Sequence, residues 1–256
     1  MSTESRTRTG EESFGRNDPL SKVTRWIETG LDRILEGPDR WPNRWDEVYS
    51  REGIPTDLQH PFYGFDYITS KFQRGGSENV LDVAMGPGRH ALPLAERGLK
   101  VHGFDLSRKA LDLACEQLSR RNLSCSLTQA DMFGTYPYAE NIFDSVIAIQ
   151  AIYHGYPPHM QAAIGEIYRV LRPGGVFAFT VSMDRERAMM GARKYIYDEA
   201  EGYPNTFIPK AGRERGIPHY YPDEHELEAM LRPAFNNIEM FVDMDHKYRL
   251  VTCISN

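Results

Sequence analysis

Residues 79–91 constrain the fold more than any other stretch of this sequence. They read Asn-Val-Leu-Asp-Val-Ala-Met-Gly-Pro-Gly-Arg-His-Ala, which is a short apolar run followed by a glycine-rich turn. The apolar run is typical of a buried parallel strand. Gly86 and Gly88 let the backbone approach a ligand because glycine has no Cβ, and the N–H groups of a helix predicted over residues 91–97 add positive charge. The pattern predicts a nucleotide-type site at a strand–turn–helix junction.

The glycine spacing alone fits two kinds of cofactor. Residues 86–91 match the dinucleotide fingerprint with alanine in the last position. Asp82, however, lies where the strand meets the turn, and a carboxylate there would repel a pyrophosphate and suit a ligand that carries an ammonium group. A two-domain NAD dehydrogenase would also need more chain for its substrate domain. Both observations favour a cationic cofactor without phosphate.

Residues 81–88 resemble motif I of the class I SAM-dependent methyltransferases, which use S-adenosyl-L-methionine (SAM). The resemblance covers roughly residue 45 to the C terminus, and residues 167–175 look like the structural motif that precedes the fifth strand in that family. It implies an α/β fold: a single Rossmann-like domain with a seven-stranded, mostly parallel sheet that ends in an antiparallel hairpin. One residue departs from the pattern, since Ala84 stands where the family usually has its first glycine. We expect the extra methyl group to be tolerated.

Further cofactor contacts are predicted after the second and third strands. Asp105 ends the predicted strand 100–105 and can accept both ribose hydroxyls; the alternative, that it only caps the next helix, is weaker because Ser107 is the better cap. The resemblance implies that Asp131 accepts from the adenine amino group and that Met132 packs on the ring, although Asp131 also fits an ordinary loop. The complete predicted cofactor set is Asp82, Ala84, Met85, Gly86, Gly88, Arg89, His90, Asp105, Leu106, Asp131, Met132, Gln150 and Tyr49.

Catalytic residues are less strongly indicated than cofactor residues. Methyl transfer from a sulfonium is an in-line displacement, to which positioning and exclusion of water contribute much. A thiolate acceptor needs no strong base, whereas an amine or hydroxyl must lose a proton. His154 and His219 are the candidate bases, with Tyr153 as an orienting group; packing or helix capping is the alternative for His154. The three cysteines lack metal-type spacing, and no metal is predicted.

The chain divides into three predicted regions. Residues 1–20 are polar and predicted to be a disordered tail, and residues 21–74 are predicted to be N-terminal helices that cover the cofactor site. Residues 75–256 are predicted to form the SAM-binding methyltransferase domain. Within it, residues 182–221 have little periodicity and are predicted to be a lid-like insert, with a mobile surface loop as the alternative.

Composition limits the partners and the compartment. The net charge is −6, which argues against a broad nucleic-acid surface. No apolar stretch is long enough to span a bilayer, and the polar N-terminal residues do not resemble a secretion signal, so we predict a cytoplasmic protein with no membrane partner. The oligomeric state is left open.

The predicted activity is SAM-dependent transfer of a methyl group to a small-molecule acceptor: a thiol, an amine, a carboxylate or a metalloid. The Asp/Asn-Pro-Pro-aromatic signature of nucleic-acid amine methylation is missing, because residues 150–153 read Gln-Ala-Ile-Tyr. Residues 153–155, 205–207 and 217–220 look like a tellurite-resistance-type or related small-molecule branch of the family. A protein methyltransferase and a SAM-binding protein without turnover remain as alternatives.

Overall fold

The structure, a computed structural model, describes residues 42–194, 196–243 and 246–256. The predictions of a disordered tail over residues 1–20 and of a helix between residues 21 and 37 lie outside the described residues. The helices are α1 (Pro42–Glu52), α2 (Phe65–Arg74), α3 (Ala91–Glu96), α4 (Arg108–Arg120), α5 (Pro157–Val170), α6 (Arg185–Arg193) and α7 (Glu224–Leu231), with a 3-10 turn at Thr56–Leu58. The strands are β1 (Asn79–Val83), β2 (Lys100–Asp105), β3 (Ser126–Gln129), β4 (Phe143–Ala148), β5 (Leu171–Ser182), β6 (Tyr197–Glu199), β7 (Thr206–Pro209), β8 (His219–Tyr220), β9 (Phe235–Val242) and β10 (Tyr248–Ser255).

A seven-stranded sheet with the order β3-β2-β1-β4-β5-β10-β9 forms the centre of the molecule. The first five strands in that order are parallel, and β10 runs antiparallel to both β5 and β9. The predicted α/β fold is therefore confirmed, including the antiparallel end of the sheet. From β1 to β3 the strands are added on one side of β1, and β4 is added on the other side. At this change in strand order, the carboxyl ends of β1 and β4 form the crevice where ligands bind in open α/β sheets.

At the centre of the sheet, β1 and β4 are buried on both faces, which explains their apolar sequences. Leu81 belongs to a core layer with Ile164 on α5, whereas Val80, the next residue along β1, belongs to the opposite layer with Ile68 and Phe72 on α2. All five of these side chains are at most 1% exposed. Full burial of such a side chain contributes about 1.5–3 kcal/mol, so the alternation along β1 fixes the strand in register between two helical layers.

The sequence predicts a helix from about Met160 to Leu171 and a strand from Val176 to Val181, and both elements start earlier in the structure. Helix α5 begins at Pro157 rather than near Met160, because proline is tolerated in the first helical turn, where its missing N–H has no partner to lose. The same helix ends at Val170, since Leu171 already has an extended ψ of 139°. Strand β5 therefore starts before Gly174-Gly175 rather than after it. The helix ends ahead of these glycines, and Pro173 keeps the residue before it out of the helical region.

The region 182–221, predicted as irregular, contains ordered structure. It holds α6 and a separate antiparallel sheet with the order β6-β7-β8. These strands are two to four residues long, too short to show a clear alternation in the sequence. None of the described helices is both long and apolar enough to cross a membrane.

Candidate functional site

A cavity of about 740 Å³ opens at the carboxyl ends of β1, β2 and β4. Sites for small molecules commonly have volumes of roughly 300–1,000 Å³. All but three of the predicted site residues line this cavity; the exceptions are Asp82, Gly88 and His219. The predicted residues that line it are Tyr49, Ala84, Met85, Gly86, Arg89, His90, Asp105, Leu106, Asp131, Met132, Gln150, Tyr153 and His154.

The turn after β1 depends on backbone conformations that favour glycine. Gly86 has φ 56° and Gly88 has φ 89°. A Cβ at Gly86 would lie 3.0 Å from the Tyr49 hydroxyl, and one at Gly88 would lie 2.4 Å from Cδ1 of Leu92. Gly86 therefore faces the cavity beside Tyr49, whereas Gly88 is needed for packing of the turn against α3. Gly88 does not line the cavity, and its contact with the cofactor stays a prediction.

Ala84 has a φ of 51°, the left-handed conformation that costs an L-residue about 1–2 kcal/mol. Ala84→Gly is expected to raise the free energy of unfolding by about 0.5–1 kcal/mol, because relief of this strain exceeds the entropy that glycine adds to the unfolded chain, roughly 0.4–1 kcal/mol. Denaturant unfolding measures the change. Ala95→Gly, within α3, is the control and should lose about 1 kcal/mol. An equal loss in both variants would show that Ala84 is not strained.

Asp105 connects the turn to the end of β2. Its Oδ2 accepts from the Gly86 N–H at 2.8 Å and its Oδ1 accepts from the Ser107 N–H at 2.8 Å. Burial raises the pKa of Asp105 to about 6, against the lowering effect of these hydrogen bonds. The cap of α4 is Ser107, whose Oγ accepts from the Ala110 N–H at 3.1 Å. The Asp105 carboxyl group is thus available at the cavity wall, in the position predicted for a ribose acceptor.

Asp82 lies beneath the turn rather than on the cavity wall. It is 1% exposed, and its Oδ2 has no hydrogen-bond partner among the described residues. Burial raises the pKa of this carboxyl group to about 8; the Arg89 charge lowers it and the Asp105 charge raises it. The sequence predicts that Asp82 faces an ammonium group. In the structure Asp82 does not line the cavity, because the strand places its side chain below the cavity surface.

Arg89, Gln150 and His90 occupy the wall between β1 and β4. Arg89 Nη2 donates to Gln150 Oε1 at 2.5 Å, and Gln150, with a φ of 55°, donates its N–H to the Thr180 hydroxyl at 2.7 Å. Arg89 therefore presents a positioned cation to the cavity. His90 accepts from the Phe62 N–H at Nε2, and burial lowers its pKa well below the usual value. His90 is consequently a neutral group that anchors the chain before α2.

Part of the cavity wall is aromatic, and we call this part the aromatic compartment. Tyr153, Tyr156, Tyr203 and Tyr248 line it together with Ile217, and the rings of Tyr156 and Tyr203 lie 4.7 Å apart. Asp131 and Met132 line the same cavity, and Asp131 Oδ1 accepts from the Phe133 N–H at 2.9 Å. The structure thus joins the predicted cofactor residues and the aromatic compartment in one space.

His154, Glu214 and His219 form a cluster beside the aromatic compartment. Glu214 Oε2 lies 3.1 Å from His219 Nε2, and Glu214 Oε1 lies 3.7 Å from His154 Nε2. Burial and the neighbouring His219 lower the pKa of His154 to about 3. Burial would raise the pKa of Glu214, but the His219 hydrogen bond and the charges of His154, His219 and Arg213 lower it to about 2. Glu214 is therefore an anion between two imidazoles.

Sequence reasoning missed several of these groups. Glu214 and Arg213 belong to an Arg-Glu-Arg run in the insert, which carries no periodic or motif signal. Asp46 on α1 was also missed: its Oδ1 accepts from the Ser107 hydroxyl at 2.7 Å and from the Lys109 N–H at 2.9 Å. Contacts of this kind depend on how distant segments pack. His219, predicted as a catalytic group, is 4% exposed and lies behind Glu214 rather than on the wall.

Comparisons with known proteins agree with this geometry. Residues 80–175 match a family model described as a methyltransferase domain. The sterol 24-C-methyltransferase erg6 of Schizosaccharomyces pombe is 30% identical over 186 residues, which cover 70% of this chain and 45% of that protein. The chain therefore spans less than half the length of this relative.

Two solved structures share the fold. The PH0226 protein from Pyrococcus horikoshii OT3 aligns with a TM-score of 0.67 and 21% identity, covering 82% of this chain and 99% of that one. An S-adenosylmethionine-dependent methyltransferase from Clostridium acetobutylicum aligns with a TM-score of 0.58 and 14% identity, covering 84% of this chain and 98% of that one.

The matched family, the sheet order and the turn after β1 identify a class I SAM-dependent methyltransferase domain in this chain. The resemblance seen in residues 81–88 is thus confirmed, and SAM is the cofactor of this class. Assignment to the tellurite-resistance-type branch stays a prediction.

Proposed function

We propose that the chain is an enzyme that transfers the methyl group of SAM to a small-molecule acceptor. The observation that carries this proposal is the continuity of one cavity, in which the residues around Gly86 and Asp105 face the same space as Tyr153 and His154. A protein that only stored or sensed SAM would need the first group of residues but not a second compartment beside it.

The residues present fit SAM. Asp105 and Asp131 would hold the ribose and adenine, since both carboxyl groups line the wall and an anion accepts from hydroxyl and amino groups. Arg89 would pair with the methionine carboxylate. Asp82, whose Oδ2 lacks a partner among the described residues, would stabilise the ammonium group from beneath the turn. The absence of a Cβ at Gly86 leaves room for the ligand beside Tyr49.

The insert covers the aromatic compartment, where the acceptor would bind, by packing against α1. Arg44 donates from Nε to the Arg213 carbonyl at 2.9 Å and from Nη2 to the Gly212 carbonyl at 3.0 Å. Arg213 Nη1 in turn donates to the Asp57 carboxylate at 2.9 Å. A compartment closed in this way excludes water, which favours displacement at a sulfonium. It also favours a compact acceptor over an extended peptide, in agreement with the name of the sterol methyltransferase relative.

The chemistry required of the chain is mainly positioning. The acceptor atom attacks the methyl carbon as the carbon–sulfur bond breaks, and S-adenosylhomocysteine is the product. Because the positive charge on sulfur disappears during the reaction, a compartment that holds little water within its aromatic walls favours the less charged transition state over the cationic reactant. Tyr153, Tyr156 and Tyr203 provide these walls. Catalytic roles for Tyr153, His154 and His219 remain predictions.

The test is release of S-adenosylhomocysteine in the presence of SAM and a panel of thiols, amines, carboxylates, hydroxyl compounds and metalloid oxyanions. We expect turnover with one chemical class, and much slower turnover with Asp105→Ala at a low SAM concentration, because this variant should bind the cofactor about 10- to 100-fold more weakly. SAM binding without turnover on the whole panel, followed by methyl incorporation into protein substrates, would instead identify a protein methyltransferase. Binding with no methyl transfer to either would identify a SAM-binding protein.

A further inference from the structure

The cluster of His154, Glu214 and His219 brings together the side chains that most often bind transition metals. One ligand atom from each residue lies within 4.8 Å of the other two. Two atoms that bind one ion at ~2.1 Å each lie no more than ~4.2 Å apart, so these side chains need to move by only about half an ångström. They come from two separate segments: the loop after β4 carries His154, and the insert carries Glu214 and His219. The fold, rather than a local motif, assembles the cluster.

His154 carries an unsatisfied nitrogen. Its side chain is 7% exposed, and Nε2 has no hydrogen-bond partner among the described residues. The 3.7 Å separation from Glu214 Oε1 is too long for a hydrogen bond. A buried polar atom without a partner costs about 1–3 kcal/mol and calls for an explanation. Coordination to an ion between His154 and Glu214 would satisfy this nitrogen.

His219 has the orientation of a metal ligand. Its Nδ1 lies 2.8 Å from the Ile217 carbonyl oxygen. A carbonyl only accepts, so Nδ1 carries the proton and donates it. Nε2 is then the nitrogen that faces Glu214, and it lies 3.1 Å from a carboxylate oxygen. The ring is thus held so that Nε2 points at the space shared with Glu214. A backbone carbonyl that fixes the far nitrogen is the usual arrangement for a metal-bound histidine.

We propose that His154, Glu214 and His219 bind one first-row transition-metal dication. Two imidazoles and one carboxylate suit Zn²⁺, Fe²⁺, Co²⁺ or Mn²⁺, whereas Mg²⁺ and Ca²⁺ prefer oxygen ligands alone. Sites with three protein ligands keep a coordination position open. His154 and Glu214 line the cavity, so this position faces the aromatic compartment. The prediction from sequence that no metal binds is replaced by this proposal.

The open position defines the class of acceptor, in a step that rests on the proposed function. It would bind an acceptor through an ionisable O–H or S–H group, and the proton would leave to solvent. The bound oxygen or sulfur would then attack the methyl carbon of SAM, the carbon–sulfur bond would break, and S-adenosylhomocysteine would leave. The metal keeps the acceptor deprotonated, so neither histidine has to act as the base.

The proposal is tested by titration of Co²⁺ into chelator-treated protein. We expect one equivalent to bind and to produce the visible absorption of a low-coordinate Co²⁺ ion. His154→Ala, Glu214→Gln and His219→Ala should each weaken binding by at least ~100-fold, because loss of a ligand costs more than loss of a group that only supports one. His225→Ala, at an exposed histidine on α7, is the matched control and should bind Co²⁺ as the wild type does.

SAM binding, measured by calorimetry on the same variants, separates loss of the metal site from loss of folding. The three ligand variants should bind SAM normally. Co²⁺ binding that is absent, or equal in wild type and His154→Ala, overturns the metal site. Stoichiometric Co²⁺ binding without any methyl transfer leaves the site in place and contradicts only the proposed function.

Discussion

Asp82→Asn is expected to make the unliganded protein more stable at neutral pH while it weakens SAM binding. Burial raises the pKa of this carboxyl group from 3.8 to about 8. At pH 7 the folded protein must therefore hold a proton that the unfolded chain has released, which costs about 4 kcal/mol at 1.36 kcal/mol per unit. An amide removes this cost, although its own unpartnered nitrogen costs about 1–3 kcal/mol. The net gain is about 1–3 kcal/mol.

The pH dependence has a definite sign. Between pH 4 and pH 8 the folded state binds the Asp82 proton more tightly than the unfolded state. Folding therefore takes up a proton, and the stability of the wild type falls as pH rises through this window. Asp105, whose burial raises its pKa to about 6, adds a smaller effect in the same direction. In Asp82→Asn only the Asp105 contribution remains, so its stability should fall less over the same window.

Denaturant unfolding at pH 5 and pH 8 measures both effects on stability. Calorimetry measures the loss of SAM affinity, expected to be about 10-fold, because the Asp82 carboxyl group can release its proton and face the ammonium group as an anion whereas an amide cannot. Asp144→Asn is the control. Asp144 is also buried, but it pairs with Arg172 at 2.7 Å and accepts from the Glu78 and Asn79 N–H groups, so that variant should lose stability. If Asp82→Asn were less stable than the wild type at pH 8, the result would show that the folded wild type stabilises the ionised Asp82 carboxylate.

The central sheet can be predicted from the sequence because each strand is indicated by residues within or next to it. A short apolar run before Gly86 specifies a buried strand, and Lys100–Asp105 was predicted with the bounds that the structure has. The turn residues are similarly local, since positive φ values at Gly86 and Gly88 follow from residue type. Most predicted cofactor residues therefore lie at one cavity, because β1, β2 and β4 are parallel and their carboxyl ends meet there.

The other half of the site depends on contacts between distant segments. Glu214 meets His154 across sixty positions of sequence, and Arg44 reaches Gly212 across 168. Neither pair belongs to a motif, and strands of two to four residues in the insert give no periodic pattern. Asp82 shows a further limit: sequence places it at the end of β1 but cannot show whether its carboxyl group lies on the wall or beneath it.

Asp105→Ala is expected to weaken SAM binding by about 10- to 100-fold, or roughly 1–3 kcal/mol, because two ribose hydroxyls would lose a charged acceptor. NAD should not bind to either protein. The wild-type affinity for SAM should also rise between pH 5 and pH 7, since the Asp105 pKa of about 6 means that the carboxyl group ionises in this window and an anion is the better acceptor. Calorimetric titration at both pH values measures these changes.

A loss of affinity alone would not prove a ribose contact, because Asp105 also accepts from the Gly86 N–H and thereby holds the turn. A double-mutant cycle with ligands separates the two roles. S-adenosylhomocysteine and its 2′-deoxy and 3′-deoxy analogues are titrated into wild type, Asp105→Ala and the control Asp112→Ala, at an exposed residue on α4. If Asp105 accepts from the ribose, removal of a hydroxyl weakens binding in wild type and control but hardly in Asp105→Ala. If the analogues lose the same affinity in all three proteins, Asp105 acts only by holding Gly86 in place, and the ribose acceptor must be another group on the cavity wall.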